Sequence, residues 1–137
     1  MTIADVLAEL VEEFDLLGDW EERYRHVIEL GRDLEPLSDA ERTDANKVRG
    51  CASQVWLVTT HDGAGKLGFR GDSDAHIVRG LIALLLRLYD GRSPTEIQDF
   101  DAKAAFEALG LAGALSTQRS NGLASMVARI RRDAEAT

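Results

Sequence analysis

Apolar residues in the first part of the chain recur at three- and four-residue steps. Ile3, Val6, Leu7, Leu10, Val11 and Phe14 fall on one stripe, which predicts an amphipathic helix over 3–16, closed by Gly18. Asp19 is the expected N-cap of a second helix running to about Leu30, with Glu22 as its capping-box partner. Its apolar set is Trp20, Tyr24, Val27, Ile28 and Leu30, and Gly31 and Pro36 end the pattern. Residues 33–46 are polar and aperiodic, a loop with a short turn at Ser38 to Arg42. From there the period changes. Residues 46–49 suit a short strand, and 53–61 a longer one rich in Val, Thr and Trp. His61-Asp62-Gly63-Ala64-Gly65 signals a turn, and Lys66 to Gly71 is expected to return antiparallel.

The next segment is apolar nearly all round. Ile77, Val78, Leu81, Ile82, Leu84, Leu85 and Leu88 predict a core helix over about 75–90, with Asp72, Ser73 and Asp74 as candidate caps. After Gly91, Ser93-Pro94-Thr95-Glu96 opens a short helix, with Ser93 as cap, Pro94 first and Glu96 closing the box. Ala102 to Leu109 gives another. Ser116 or Thr117 caps a last helix from about Gln118 to Ala134, whose inner positions are Leu123, Met126, Val127 and Ile130. Arg129, Arg131 and Arg132 near its C-terminal end suit the helix dipole. Helices, a small antiparallel sheet, then helices describe an α+β class in one domain spanning 1–137.

Composition narrows the function. A formal net charge of -8 gives no bulk attraction for nucleic acid or anionic membranes. The longest apolar run, Leu81 to Leu86, is far short of the roughly 20 residues that cross a bilayer. The N-terminus lacks the basic start and apolar core of a signal peptide, so a cytoplasmic location is expected. His26, His61 and His76 show no ligand-like spacing, and with one cysteine no metal site is expected. Gly63-Ala64-Gly65-Lys66 lacks the full spacing of a phosphate loop and fits a hairpin turn better.

The remaining candidate is Cys51, the chain's single cysteine. It lies in Asn46-Lys47-Val48-Arg49-Gly50-Cys51-Ala52-Ser53-Gln54-Val55-Trp56. Two cations precede the sulfur, and cations favour the nucleophilic thiolate. Gly50 permits backbone shapes closed to other residues. A sulfur on such a turn, at the mouth of a strand, suits a reactive role. A lone cysteine also serves as a small core hydrophobe. Three readings are therefore open: a reactive thiol nucleophile, a peroxidase-like single-cysteine redox enzyme, and a binding module with an inert thiol.

Three blocks in order carry a resemblance. The cysteine segment resembles the acceptor-cysteine motif of the SufE family of cysteine-desulfuration proteins. Gly71-Asp72-Ser73-Asp74-Ala75-His76-Ile77-Val78-Arg79-Gly80-Leu81 resembles the family's strand-to-helix junction, and Leu115-Ser116-Thr117-Gln118-Arg119-Ser120-Asn121-Gly122-Leu123 the start of its last helix. Ala52 departs from the family's usual Gln. The resemblance implies an α+β fold with a three-stranded antiparallel sheet packed by helices, shared with IscU-type scaffolds. It implies a chain that takes persulfide sulfur from a cysteine desulfurase of the SufS or CsdA type onto Cys51 and stimulates that enzyme. The sulfur then goes to iron–sulfur assembly on a SufBCD-type scaffold, with a thio-cofactor or tRNA-thiolation pathway as the alternative recipient. Pyridoxal phosphate belongs to the desulfurase, and this chain is expected to bind no cofactor beyond a transient persulfide. Arg119 is the expected support for the anionic sulfur, with Arg49 as the second candidate. Gly50, Gln54, Asp74 and His76 are expected on the surface that meets the partner.

Overall fold

The computed structural model describes residues 1–111 and 117–136; the side chains of 117 and 118 lie outside the description. Along the chain come α1 (Ile3–Asp15), α2 (Trp20–Arg32), β1 (Val55–His61), β2 (Leu67–Ser73), α3 (His76–Tyr89), α4 (Pro94–Asp99), α5 (Ala102–Ala108) and α6 (Thr117–Glu135). The α+β architecture matches the expectation.

Local chemistry explains most boundaries. Thr2 and Asp5 form a reciprocal capping box at the start of α1. Asp19 caps α2 through the backbone N–H of Glu22. Glu22 does not complete the expected box, because its carboxylate accepts from the N–H of Gly18 instead. Ser93 and Glu96 do form theirs, with Pro94 in the first turn of α4. The turn expected at Ser38 forms, with the N–H groups of Glu41 and Arg42 donating to the Ser38 carbonyl. The cap expected at Ser116 or Thr117 falls outside the described residues and side chains.

The sheet differs from the three strands expected. Strands β1 and β2 pair antiparallel in a register that sets Trp56 opposite Asp72 and Val55 opposite Ser73. The 46–49 segment contributes one isolated bridge, Lys47 to Trp56, rather than a strand. It is held by two bonds, Val48 N–H to the Val55 carbonyl and Leu57 N–H to the Asn46 carbonyl, each 2.8 Å.

The expected caps of the core helix are also corrected. β2 runs on through Ser73, so Asp72 and Ser73 belong to the strand. The N-cap position of α3 is Ala75, and no side chain caps it. Asp72 is fully buried and paired with Arg79 and Arg42. It also accepts from the backbone N–H groups of Leu37 and Ser73. A carboxylate given four donors in the core has no reason to turn to a helix end.

The buried side chains form one cluster, centred on α3, whose Leu84, Leu85, Leu88 and Tyr89 are 1% exposed or less. Complete burial of one of these leucines stabilises by about 1.5–3 kcal/mol. α3 lies against both α2 and the sheet. Gly80 permits the α2 contact, since a Cβ there would collide with the Val27 carbonyl. Among the described residues no helix is long and apolar enough to cross a membrane.

Candidate functional site

Cys51 sits on a short loop fastened at both ends. On the incoming side, Arg129 of α6 donates to the carbonyls of Lys47 (3.3 Å) and Ala45 (2.9 Å). Arg129 is fixed by Asp133 at 3.2 Å, and Asp133 accepts from Thr59 of β1 at 2.7 Å. Arg129 is therefore an anchor of the cysteine loop and not only a complement to the helix dipole. Arg131, its expected companion, bonds instead to Gln98.

On the outgoing side, the Gln54 N–H donates to Asp74 Oδ1 at 3.1 Å, and Ser73 Oγ donates to the Gln54 carbonyl at 2.7 Å. Asp74 and Gln54, both expected near a partner surface, thus form an exposed clasp between the loop and the β2–α3 junction. Between the two anchors the chain reverses at Gly50, with φ at 88°. A side chain there would meet the left-handed penalty and stand 2.6 Å from Ser125 Oγ.

α6 forms the floor. Gly122 lies beneath Cys51, Ser125 beneath Gly50, and Arg129 beneath Lys47 and Ala45. The spacing of three and then four residues puts all three on one helical face. The Cys51 thiol donates to the Gly122 carbonyl at 3.5 Å. It is partly buried and lines a cavity of about 230 Å³. The other walls are apolar in the main: Val55, Ile77, Val78, Leu81, Leu123 and Met126.

Burial pushes the thiol pKa above its ordinary value. The thiolate expected from Lys47 and Arg49 is therefore not the resting state. Neither cation is among the residues lining the cavity. Arg49 is exposed. The charged group the fold does bring there is Arg119, the single one among the described lining residues. Its guanidinium lies 5.7 Å from the centre of the Tyr24 ring and donates to the Tyr24 hydroxyl at 3.5 Å. The family-like block starting the last helix and the cysteine block, remote in sequence, thus meet at one cavity. Ala52 lies at its exposed edge. His76 is exposed at the first turn of α3 and does not line the cavity, although its neighbours Ala75 and Ile77 do.

The sequence reading missed Gly122, Ser125 and Tyr24. The Gly122, Ser125, Arg129 spacing was a usable signal for a helix face that receives another backbone. Nothing local marks Tyr24 as the partner of a residue 95 positions away. Among the described residues no group of His, Cys, Asp and Glu is arranged to hold a metal ion.

A partly buried lone thiol on a helix-floored loop and one guanidinium line the same small cavity. Comparison with known sequences gives the class. Residues 8–134 match the SufE family, described as an Fe-S metabolism associated domain, and the chain belongs to that family. It is 53% identical over 132 residues to an uncharacterized SufE-like protein of Rhizobium etli, covering 94% of this chain and 89% of that one. It is 49% identical to an uncharacterized SufE-like protein of Rhizobium meliloti, covering 94% of each. The solution structure of a hypothetical protein from Thermus thermophilus has the same fold, with a TM-score of 0.76 at 20% identity over 96% of this chain and 97% of that one. Family membership supports a sulfur-transfer role in iron–sulfur metabolism.

Proposed function

We propose that Cys51 is a sulfur acceptor and carrier, loaded by a pyridoxal-phosphate cysteine desulfurase. The observation that carries this reading is the cavity shared by Cys51 and Arg119. The step is redox-neutral. Cys51, as thiolate, attacks the outer sulfur of the partner's cysteine persulfide. A new S–S bond forms on Cys51, the old one breaks, and the partner's cysteine leaves with the electron pair. The Cys51 proton passes to solvent or to the departing thiolate.

The persulfide is the more acidic product, and a neighbouring guanidinium favours its anionic form. Arg119 therefore pulls the equilibrium toward loaded Cys51 without lowering the pKa of the resting thiol below its ordinary range. A buried neutral thiol resists oxidation while idle. The exposed Asp74–Gln54 clasp restrains the loop in the free protein and gives way when the partner docks, with the chain pivoting at Gly50. The loaded sulfur then passes by a second exchange of the same kind to a recipient in iron–sulfur assembly, in the cytoplasm.

Mass spectrometry after incubation with a cysteine desulfurase and free cysteine tests the reading. The wild-type chain is expected to gain one sulfur atom on Cys51, and Cys51→Ser to gain none. Sulfur uptake by Cys51→Ser, or an unmodified wild-type thiol, overturns it. Arg119→Ala is expected to take up sulfur more slowly; equal rates would remove Arg119 from the site.

A further inference from the structure

A second concavity adjoins the cysteine cavity through Arg119. It is about 750 Å³, and Trp20, Tyr24, Arg25, Ile28, Arg32 and Arg119 are among its walls. Trp20, Tyr24, Ile28 and Arg32 recur at four-residue steps, which puts them on one face of α2, and Arg25 flanks that row beside Tyr24. Three features separate this face from ordinary solvated surface.

The first is Trp20. It is 59% exposed in a chain whose other large apolar side chains are mostly buried, and it stands edge-on to Tyr24 with ring centroids 6.1 Å apart. The second is charge. The groove carries three arginines and one carboxylate, Glu21, on a protein of net charge -8. The third is how the α2 arginines are used. Arg23 turns away to the Leu109 carbonyl and Asp15. Arg25 and Arg32 are exposed and have no ion-pair partner among the described residues. Trp, Tyr and Arg are the residue types that dominate protein–protein binding energy.

We infer that this α2 groove docks an acidic segment of the partner that delivers sulfur to Cys51. Carboxylates on that segment pair with Arg25 and Arg32, and an apolar side chain covers Trp20. The inference rests on the sulfur-acceptor reading above and adds where the partner is held. Charge complementarity fixes the occupant's sign, since an otherwise acidic protein attracts an acidic partner only where its arginines cluster. Arg119 lines both concavities. A chain seated in the groove therefore contacts the Arg119 side chain that also lines the cysteine cavity. Docking and sulfur chemistry are coupled through that one side chain and its Tyr24 support.

The test is calorimetric titration of the full chain with the cysteine desulfurase, at low and high salt. The variants are Trp20→Ala, Arg25→Glu/Arg32→Glu and Arg25→Lys/Arg32→Lys. Trp20→Ala is expected to weaken binding by about tenfold. The double Glu variant is expected to lose at least about tenfold at low salt and most of the salt dependence of the wild type. The double Lys variant keeps both in large part. Melting temperature and the alkylation rate of Cys51 in the free protein stay at wild-type values for all three. Wild-type sulfur uptake with unchanged affinity in the Ala and Glu variants overturns the groove and leaves the acceptor reading standing. A wild-type chain that neither binds the desulfurase nor gains sulfur overturns both.

Discussion

Gly122 lies directly against the sulfur of Cys51: its carbonyl accepts from Sγ at 3.5 Å, and a Cβ built on it would stand 3.6 Å from the same atom. That is ordinary van der Waals contact, so a methyl group fits and a larger side chain does not. Glycine inside a helix costs about 0.5–1 kcal/mol relative to alanine. Gly122→Ala is therefore expected to raise stability by about that amount, with Cys51 alkylated at the wild-type rate. Gly122→Leu is expected to push the sulfur out of its cavity and speed alkylation severalfold. Iodoacetamide kinetics and urea melts of both variants check this; equal alkylation rates in all three proteins would mean that Gly122 does not hold the thiol in place.

Asp72 is the most consequential buried charge. Burial alone would raise its carboxyl pKa. The Arg42 guanidinium, the N–H groups of Leu37 and Ser73, and Arg79 outweigh burial and hold it below the ordinary carboxylate range. Removing one partner of a buried pair costs about 3–5 kcal/mol because the other charge is left uncompensated. Asp72→Ala is expected to fall near the lower end, since Arg42 keeps some access to water. The pH sign follows from the lowered pKa: the contribution is present above the unfolded carboxylate value and is lost as pH falls through the folded one. Urea melts across the acid range should show wild type and Asp72→Ala converging as pH drops. Parallel curves would refute the assignment.

The helices were legible in the sequence because their determinants are local. Asp19, Ser93 and Pro94 mark starts within three residues of the groups they serve. Apolar periodicity found the inner faces of α1, α3 and α6. The site was legible only in part. Cys51 stands out as the single cysteine and Arg119 only through the resemblance of its block, and the fold sets them on one cavity. What the sequence did not yield depends on distant contacts. Asp72 looks like a cap beside Ser73 and Asp74 until Arg42 and Arg79 are seen to reach it. Lys47 and Arg49 look like thiolate stabilisers until the thiol is found turned toward α6. The third strand shrinks to one bridge because the Asn46 N–H turns back to the Thr43 carbonyl on one side and the chain reverses at Gly50 on the other.

The resting thiol gives a direct pH prediction. Burial raises the Cys51 pKa, so the folded protein holds that proton more tightly than the unfolded chain. Its contribution to stability is fully present below the unfolded thiol pKa and declines as pH rises through the folded value. The difference in unfolding free energy between wild type and Cys51→Ser should therefore shrink on the alkaline side. Alkylation of the folded protein should still be rising with pH where a small-molecule thiol has levelled off. An alkylation midpoint at or below that of the free thiol would show that nearby cations, not burial, govern the resting sulfur.

Asp74 and Gln54 separate loop mobility from fold stability. Both are exposed, and their bonds join the cysteine loop to the β2–α3 junction without burying charge. An exposed interaction of this kind is worth about 0.5–1.5 kcal/mol. Asp74→Ala is therefore expected to lower stability by no more than that. The larger effect should fall on the loop, because the N–H of Gln54, three residues past the sulfur, loses its acceptor. Faster hydrogen exchange at residues 50–54 and faster Cys51 alkylation are the expected results. On the proposed sulfur-acceptor reading desulfurase affinity should change as well, since the loosened loop carries the accepting sulfur. Asp74→Asn keeps an acceptor oxygen and should restore most of the protection. If Asp74→Ala melts at a lower temperature while exchange, alkylation and binding stay at wild-type values, the clasp is an ordinary structural contact with no hold on the sulfur.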